Sequence, residues 1–196
     1  MPPLALTVYG LPAILRHLFP KDFSTSIATM NFWLNLFTPD TWTRFRGHGA
    51  SISGFRPRLR RTAYESVKPG DLLFCYLVKL SRWSGVLKVQ SEPFEDTKPI
   101  FADSNDPFTT RFKVTPDIVL DFEHSVPIQE PDLWNKLSFT RELEVGALGW
   151  AYRAGIRQSL VQITKENAEI LLAVLRQQQQ TNTLYELNSH DRKHIA

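Results

Sequence analysis

Residues Val67 to Val89 constrain the fold more tightly than any other stretch of the chain. Lys68-Pro69-Gly70-Asp71 reads as a turn: Pro69 pre-sets the backbone angle of its first corner, and Gly70 can take the positive φ that a type II turn requires. The turn feeds the run Leu72-Leu73-Phe74-Cys75-Tyr76-Leu77-Val78, and a second run, Trp83 to Val89, returns after Lys79-Leu80-Ser81-Arg82. Two apolar, β-branched and aromatic runs joined by a short polar link predict a buried antiparallel pair of strands. The start of the pair is set by turn chemistry as well as by composition.

A chain of 196 residues suits one domain with appendages, long enough to bury a core without disulfides or metals. Its single cysteine, Cys75, lies inside the first run, where a small buried thiol packs as filler and an apolar setting makes it inert. With no internal disulfide to form, a reducing, cytoplasmic location is expected. The net charge of +3 is mild, but its distribution is not. Between Asp40 and Glu65 there is no acid, whereas Arg44, Arg46, Arg56, Arg58, Arg60 and Arg61 all fall there. Such a one-sign stretch is the footprint of a polyanion site, with a solvated surface loop as the alternative. No apolar run approaches the ~20 residues that span a bilayer, so no membrane partner is expected. The N-terminus has no basic segment ahead of its apolar residues, which argues against a cleaved signal peptide.

Residues 1–29 read as an extension in which Gly10-Leu11-Pro12 breaks any long helix, leaving a short helical turn over Ala13 to Leu18. The alternating segment Asn31 to Phe37 predicts the first strand, and Thr38 or Asp40 can cap a following helix with Trp42 and Phe45 facing inward. The basic segment 44–61, interrupted by Gly47, Gly49 and Gly54, is expected to be mostly loop, followed by a turn of helix over Arg60 to Ser66. Two prolines make Ser91 to Phe101 irregular. Phe108 to Leu120 gives two short strands or one broken by a bulge, and Asp132 to Leu137 a short helix. Gly146 to Gln158 is a second basic, glycine-rich loop, expected to meet the first in space. Ser159 to Ile163 reads as a closing strand, and Lys165 to Gln177 as a helix burying Ala168, Leu171, Leu172 and Leu175. Residues 177–196 are polar and expected to be disordered, so His190 and His194 there are background.

The remaining histidines are scattered and no metal motif, P-loop, dinucleotide fingerprint or nucleophile elbow is present. Glu92, Glu95, Asp96, Asp103 and Asp106 cluster, but without the lysine pairing a nuclease would use, which favours a solvated acidic loop. The residues therefore favour binding over catalysis, with no cofactor. Phe32, Trp33, Trp42, Tyr76, Trp83, Trp150 and Tyr152 flank basic residues, as where a base stacks between rings while arginines hold phosphates. Each ring taken singly is first a core residue. Trp83 is the exception, because it follows Ser81-Arg82 at the mouth of the hairpin.

The Asn31-Phe32-Trp33 strand, the helix with Trp42, the basic glycine loop, the Lys68-Pro69-Gly70-Asp71 corner and the run Gly85-Val86-Leu87-Lys88-Val89-Gln90-Ser91-Glu92-Pro93-Phe94 together resemble the EVE domain, a PUA-like family related to YTH domains. The resemblance covers residues 30–176. It implies an α+β fold, a twisted mixed β-barrel flanked by helices, and a non-enzymatic reader that takes a flipped modified base. The base expected is a modified cytosine such as 5-methylcytosine in DNA, with RNA or a ligand other than nucleic acid as alternatives. It also implies a link to modification-dependent restriction, through a partner nuclease or NTPase. Carried onto this chain, the base pocket would involve Phe32, Trp33, Asn35, Trp42, Tyr76, Ser81, Arg82 and Trp83. Arg46, Arg56, Arg58, Arg153 and Arg157 would hold phosphates.

Overall fold

The computed structural model describes residues 30–147 and 149–195, with only the backbone of Arg153. The expected extension over residues 1–29 and its helical turn lie outside the described residues. Strand β1 (Phe32–Phe37) runs into Thr38, which caps helix α1 (Pro39–Gly47). The Thr38 hydroxyl accepts from the Thr41 amide, the Thr41 side chain accepts from the Thr38 amide, and Pro39 takes the first helical position, where no N–H is needed. The chain continues through β2 (Ile52–Phe55), a 3-10 turn (Pro57–Leu59), α2 (Arg60–Ser66), β3 (Leu72–Leu77) and β4 (Arg82–Val89). There follow β5 (Phe94–Glu95), β6 (Thr110–Val119), β7 (Val126–Pro127), α3 (Pro131–Trp134), α4 (Trp150–Arg153), β8 (Gln162–Ile163), α5 (Lys165–Thr181) and α6 (Ser189–Ile195).

The strands form one mixed sheet in the order β2-β6-β4-β3-β1-β8, with β5 added to β6 and β7 to β4. Strands β1 and β3 are parallel, Phe32 opposite Leu72 through Phe37 opposite Leu77. The predicted hairpin is the antiparallel pair β3–β4, with Leu73 opposite Leu87 and a bulge between Cys75 and Tyr76. Although β2 and β1 stand four places apart in the sheet order, the Asn35 side-chain amide donates to Ser53 Oγ at 2.8 Å. The sheet is therefore curled into a half-barrel whose β2 end comes back over β1.

At the Lys68–Asp71 corner, Gly70 has φ +99° and its amide donates to the Val89 carbonyl at 2.8 Å, so the turn forms as its residues predict. The Asp71 carboxylate is buried and accepts three hydrogen bonds: from the Asn31 amide at 2.9 Å, the Trp33 indole at 2.8 Å and the Lys68 amide at 3.0 Å. One side chain thus joins the start of β1, the turn and the start of β3.

Every residue of β3 is buried, which accounts for its unbroken apolar run: both faces of the sheet are covered. Alternation sends Leu73, Cys75 and Leu77 into the barrel interior with Trp33, Phe37, Trp42, Phe45, Phe55 and Phe112. Phe32, Leu34, Phe74 and Tyr76 take the other face, where α5 packs on β4 and β6 and buries Leu171, Leu172 and Leu175. Each such aliphatic or aromatic side chain contributes about 1.5–3 kcal/mol of burial.

Three expectations are corrected. The basic segment 44–61 is not mostly loop: β2 pairs antiparallel with β6, Ile52 opposite Lys113 and Phe55 opposite Thr110. A glycine at position 54 hides this strand from a propensity reading, yet a Cβ there would lie 2.5 Å from the Phe101 ring, so packing demands the missing side chain. Residues 177–195 are not disordered: α5 continues to Thr181, Asn182 closes it at φ +51°, and α6 follows. The acidic cluster is not simply solvated, because Asp96 and Asp106 enclose the fully buried Arg111. That guanidinium donates to Asp96 at 2.8 Å, Asp106 at 3.1 Å, and the Lys98 and Phe108 carbonyls at 2.6 and 2.9 Å. The Lys98 amide and the Arg111 charge hold Asp96 below the usual carboxylate range.

Asp71→Ala strands two backbone amides and an indole N–H at once. It is expected to lower stability by on the order of 3 kcal/mol, read in urea unfolding, with Asp71→Asn losing less because one oxygen remains. Cys75 is fully buried with its thiol pKa pushed well up by desolvation. Iodoacetamide should therefore leave it unmodified in the native protein and alkylate it only after unfolding.

Candidate nucleic-acid interface

The arginines of the basic segment divide into two sets. Arg44 lies between Asp40 and Asp103, at 3.0 and 2.7 Å, and its charge holds Asp103 below the usual range. Arg61 pairs with Glu65 at 3.0 Å and Arg60 with Glu95 at 3.4 Å. Among the described residues no carboxylate lies within ion-pairing distance of Arg46, Arg56 or Arg58, and all three are exposed. Arg56 and Arg58 flank Pro57 at the 3-10 turn that directly follows β2, and the Arg56 guanidinium sits 5.1 Å above the Phe108 ring.

In the second basic loop, exposed Arg157 lies 4.4 Å above the exposed ring of Tyr152. Both basic segments are tied to consecutive residues of β1: the first through Ser53 of β2 to Asn35, the second through Ser159, directly after it, whose Oγ accepts from the Leu36 amide at 2.9 Å. A strand buried on most of its length thus sets the positions of two surface cation groups.

The eight residues expected in one base pocket occupy different places. Asn35 is buried on the barrel side against Ser53. Trp33 spends its indole N–H on Asp71, and Trp42 donates to the Leu120 carbonyl at 3.0 Å while stacking on Phe45 at 5.4 Å. Trp42 is a core residue because positions 42 and 45 share the inner face of α1. Phe32 lies on the opposite face, edge-on to Phe74 at 6.3 Å.

Arg82 turns to the C-terminal segment. Its buried guanidinium donates to Asp191 at 3.2 Å and to the Glu186 carbonyl at 2.6 Å, with longer contacts to the Phe122 and Tyr185 carbonyls. A buried charge needs such a partner set, and here the partners come from the C-terminal segment.

Tyr76, Ser81 and Trp83 do converge. The Tyr76 and Trp83 rings meet edge-on at 4.9 Å, and Ser81 lies near the Tyr76 hydroxyl. Burial pushes the Tyr76 phenol far above its ordinary pKa, so it stays protonated. Ser81 holds φ +54°, an uncommon backbone state for a residue other than glycine. Trp150 extends the cluster, 6.2 Å from Tyr76, 5.6 Å from Trp134 and 6.3 Å from Phe139. Among the described residues, Trp83 Nε1 is the only buried side-chain nitrogen or oxygen with no hydrogen-bond partner.

By sequence Trp134 falls in a short helix, and neither it nor Phe139 has a place in the site, since they follow a proline-bounded turn far along the chain from Tyr76 and Trp83. Nor have the cations of α6, which belong to a segment read as unstructured. Among the described residues there is no cluster of three or more His, Cys, Asp or Glu able to hold a metal ion. No described helix is long and apolar enough to cross a membrane.

A curled, mixed half-barrel with helices on both faces defines a PUA-like α+β protein. The EVE domain family model matches residues 31–174, and the chain belongs to that family. Solved structures with the same fold include the YTH domain of Zygosaccharomyces rouxii MRB1 in complex with N6-methyladenosine RNA, at 14% identity and TM-score 0.52, covering 76% of this chain and 88% of that one. The Pho92 YTH domain in complex with m6A aligns at 15% identity and TM-score 0.53, over 75% of this chain and 84% of that one. The Mmi1 YTH domain complexed with RNA aligns at 8% identity and TM-score 0.56, over 81% and 85%. No curated protein matches the chain.

Proposed function

We propose that the protein is a reader of modified nucleic acid that binds without transforming its ligand. It takes one flipped base among the rings of Tyr76, Trp83 and Trp150 while cations hold the flanking backbone. The observation that carries this reading is the Trp83 indole N–H, buried with no acceptor in a ring that lies edge-on to Tyr76. A buried donor left unpaired costs about 1–3 kcal/mol, and an acceptor on a base edge would recover it. Protonated Tyr76 and Ser81 add hydrogen-bonding groups beside the rings. Arg46, Arg56, Arg58 and Arg157 are exposed where a phosphate backbone could reach them. Arg153 belongs to the same second loop and is assigned the same role.

The base favoured is a modified cytosine in DNA, as the EVE resemblance implies. RNA is the alternative, since the YTH structures that share the fold are named as complexes with m6A or RNA. Coupling to modification-dependent restriction would require a partner nuclease or NTPase, because a reader alone leaves its ligand intact. A second placement of the base is favoured by one observation: Asn35 and Ser53 form a polar pair inside the barrel, directly ahead of the Arg56–Arg58 turn.

The test is binding to DNA duplexes with and without 5-methylcytosine and to RNA with and without N6-methyladenosine, each at two salt concentrations. The protein should prefer one modified strand over its unmodified counterpart, with affinity falling as salt rises. Trp83→Phe, which keeps a ring but removes the N–H, should erase that preference, and loss of base stacking in Trp83→Ala should weaken binding on the order of 10- to 100-fold. If Trp83→Phe binds as the parent does while Ser53→Val loses the preference, the base belongs at the barrel pair. If no modified strand is preferred by the parent, the reader assignment fails.

A further inference from the structure

We infer that the C-terminal helix α6, beyond the residues matched to the EVE family, is part of the same nucleic-acid interface and binds phosphate backbone together with Lys79 and Arg46. This rests on the reader assignment above. The family match ends at residue 174, yet the chain continues in order to Ile195 and returns to the barrel. Helix α6 packs on α1, and Ile195 lies against the interior core.

Its sequence, Ser189-His190-Asp191-Arg192-Lys193-His194-Ile195, contains a single acid. That acid is turned inward: Asp191 is buried on Arg82 at 3.2 Å, and its carboxylate also accepts from the Asn188 amide at 3.3 Å. The helix therefore presents His190, Arg192 and Lys193 to solvent, with His194 partly exposed and edge-on to His190 at 4.6 Å. Arg82, three residues after Lys79, meets Asp191 of this helix at 3.2 Å, which brings Lys79 of the β3–β4 turn beside it; desolvation, and then the charges of Lys79 and His190, hold His194 below its usual pKa. Lys79 is exposed, two residues before Ser81 and four before Trp83.

On α1, Arg46 is exposed and without a carboxylate in pairing distance. Two acids border the patch, and neither forms an ion pair with Lys79, Lys193 or Arg46 among the described residues. Asp121 is engaged by His124 at 2.6 Å and also feels the charge of Arg46, and Glu123 shares a groove of about 330 Å³ with Arg192 of α6 and with Leu184, Tyr185, Glu186 and Leu187. The charge that remains complements a polyanion. Its position beside Ser81 and Trp83 is where the strand leaving a base bound there would run.

Lys79 and Lys193 are both exposed, so replacing them leaves the fold intact. Fluorescence anisotropy with labelled 5-methylcytosine duplex and N6-methyladenosine RNA, titrated across salt, should show a shallower dependence of log K on log salt for Lys79→Ala/Lys193→Ala. The expected flattening is roughly 0.7–0.9 per lost phosphate contact. Lys136→Ala, which removes an exposed cation elsewhere, should leave the slope unchanged. A parent-like slope in the double variant, or an equal change in Lys136→Ala, overturns the role of α6 while the reader assignment stands. If the parent binds neither strand, the reader assignment falls and this inference with it.

Discussion

The carboxylate of Asp71 is the interaction on which the rest of the sheet depends. Parallel strands cannot be joined by a short turn, so β1 and β3 need something other than chain connectivity to set their register. Asp71 supplies it by accepting from the amide of Asn31 just ahead of β1, from the Trp33 side chain and from its own turn. Once Asn31 is anchored there, Phe32 falls opposite Leu72 and the two strands stay in step to Phe37 and Leu77. A slip of one residue would exchange the barrel-facing and α5-facing side chains along the whole pair.

Two further buried charges organise loops in the same manner. Arg111 gathers the 96–108 segment through two carboxylates and two carbonyls, and Arg82 gathers the C-terminal segment through Asp191 and nearby carbonyls. Neither pair is justified by stability alone, since a buried ion pair often does no better than apolar packing. What they provide is placement. The 96–108 loop sets Phe108 beneath Arg56, and the C-terminal segment sets α6 beside Lys79. Cationic groups on the surface are thus positioned by charges inside.

The candidate base site shows the same division between scaffold and surface. By sequence Trp33, Trp42 and Trp83 are all candidates for one base pocket, Trp83 standing out by its place at the mouth of the hairpin. In the structure two of the three have their N–H satisfied by the fold and one does not. That difference depends on which carbonyl or carboxylate the curled sheet brings within 3 Å, and no pattern along the chain encodes it. The split of Asn35 from Tyr76 and Trp83 is of another kind. Strand alternation already sends residues 35 and 36 to opposite faces, and Leu36, not Asn35, lies opposite Tyr76.

By itself, the sequence determined the elements whose causes are local. The Pro69-Gly70 turn, the Thr38 cap, the buried β3–β4 hairpin, the bulged β6 strand and the amphipathic α5 all follow from residue chemistry within a few positions. Family membership was legible for the same reason, because the Lys68–Asp71 corner and the run to Phe94 are contiguous. Only the tertiary structure decided what depends on distant partners. Strand β2 exists because β6 pairs with it and Phe101 needs the space above Gly54. The acidic segment is ordered because Arg111 is buried among its carboxylates, and the polar C-terminus folds because Arg82 needs Asp191. Which aromatic ring keeps an unpartnered donor was decided there too, since hydrogen-bond satisfaction is a property of three-dimensional neighbours and not of residue type.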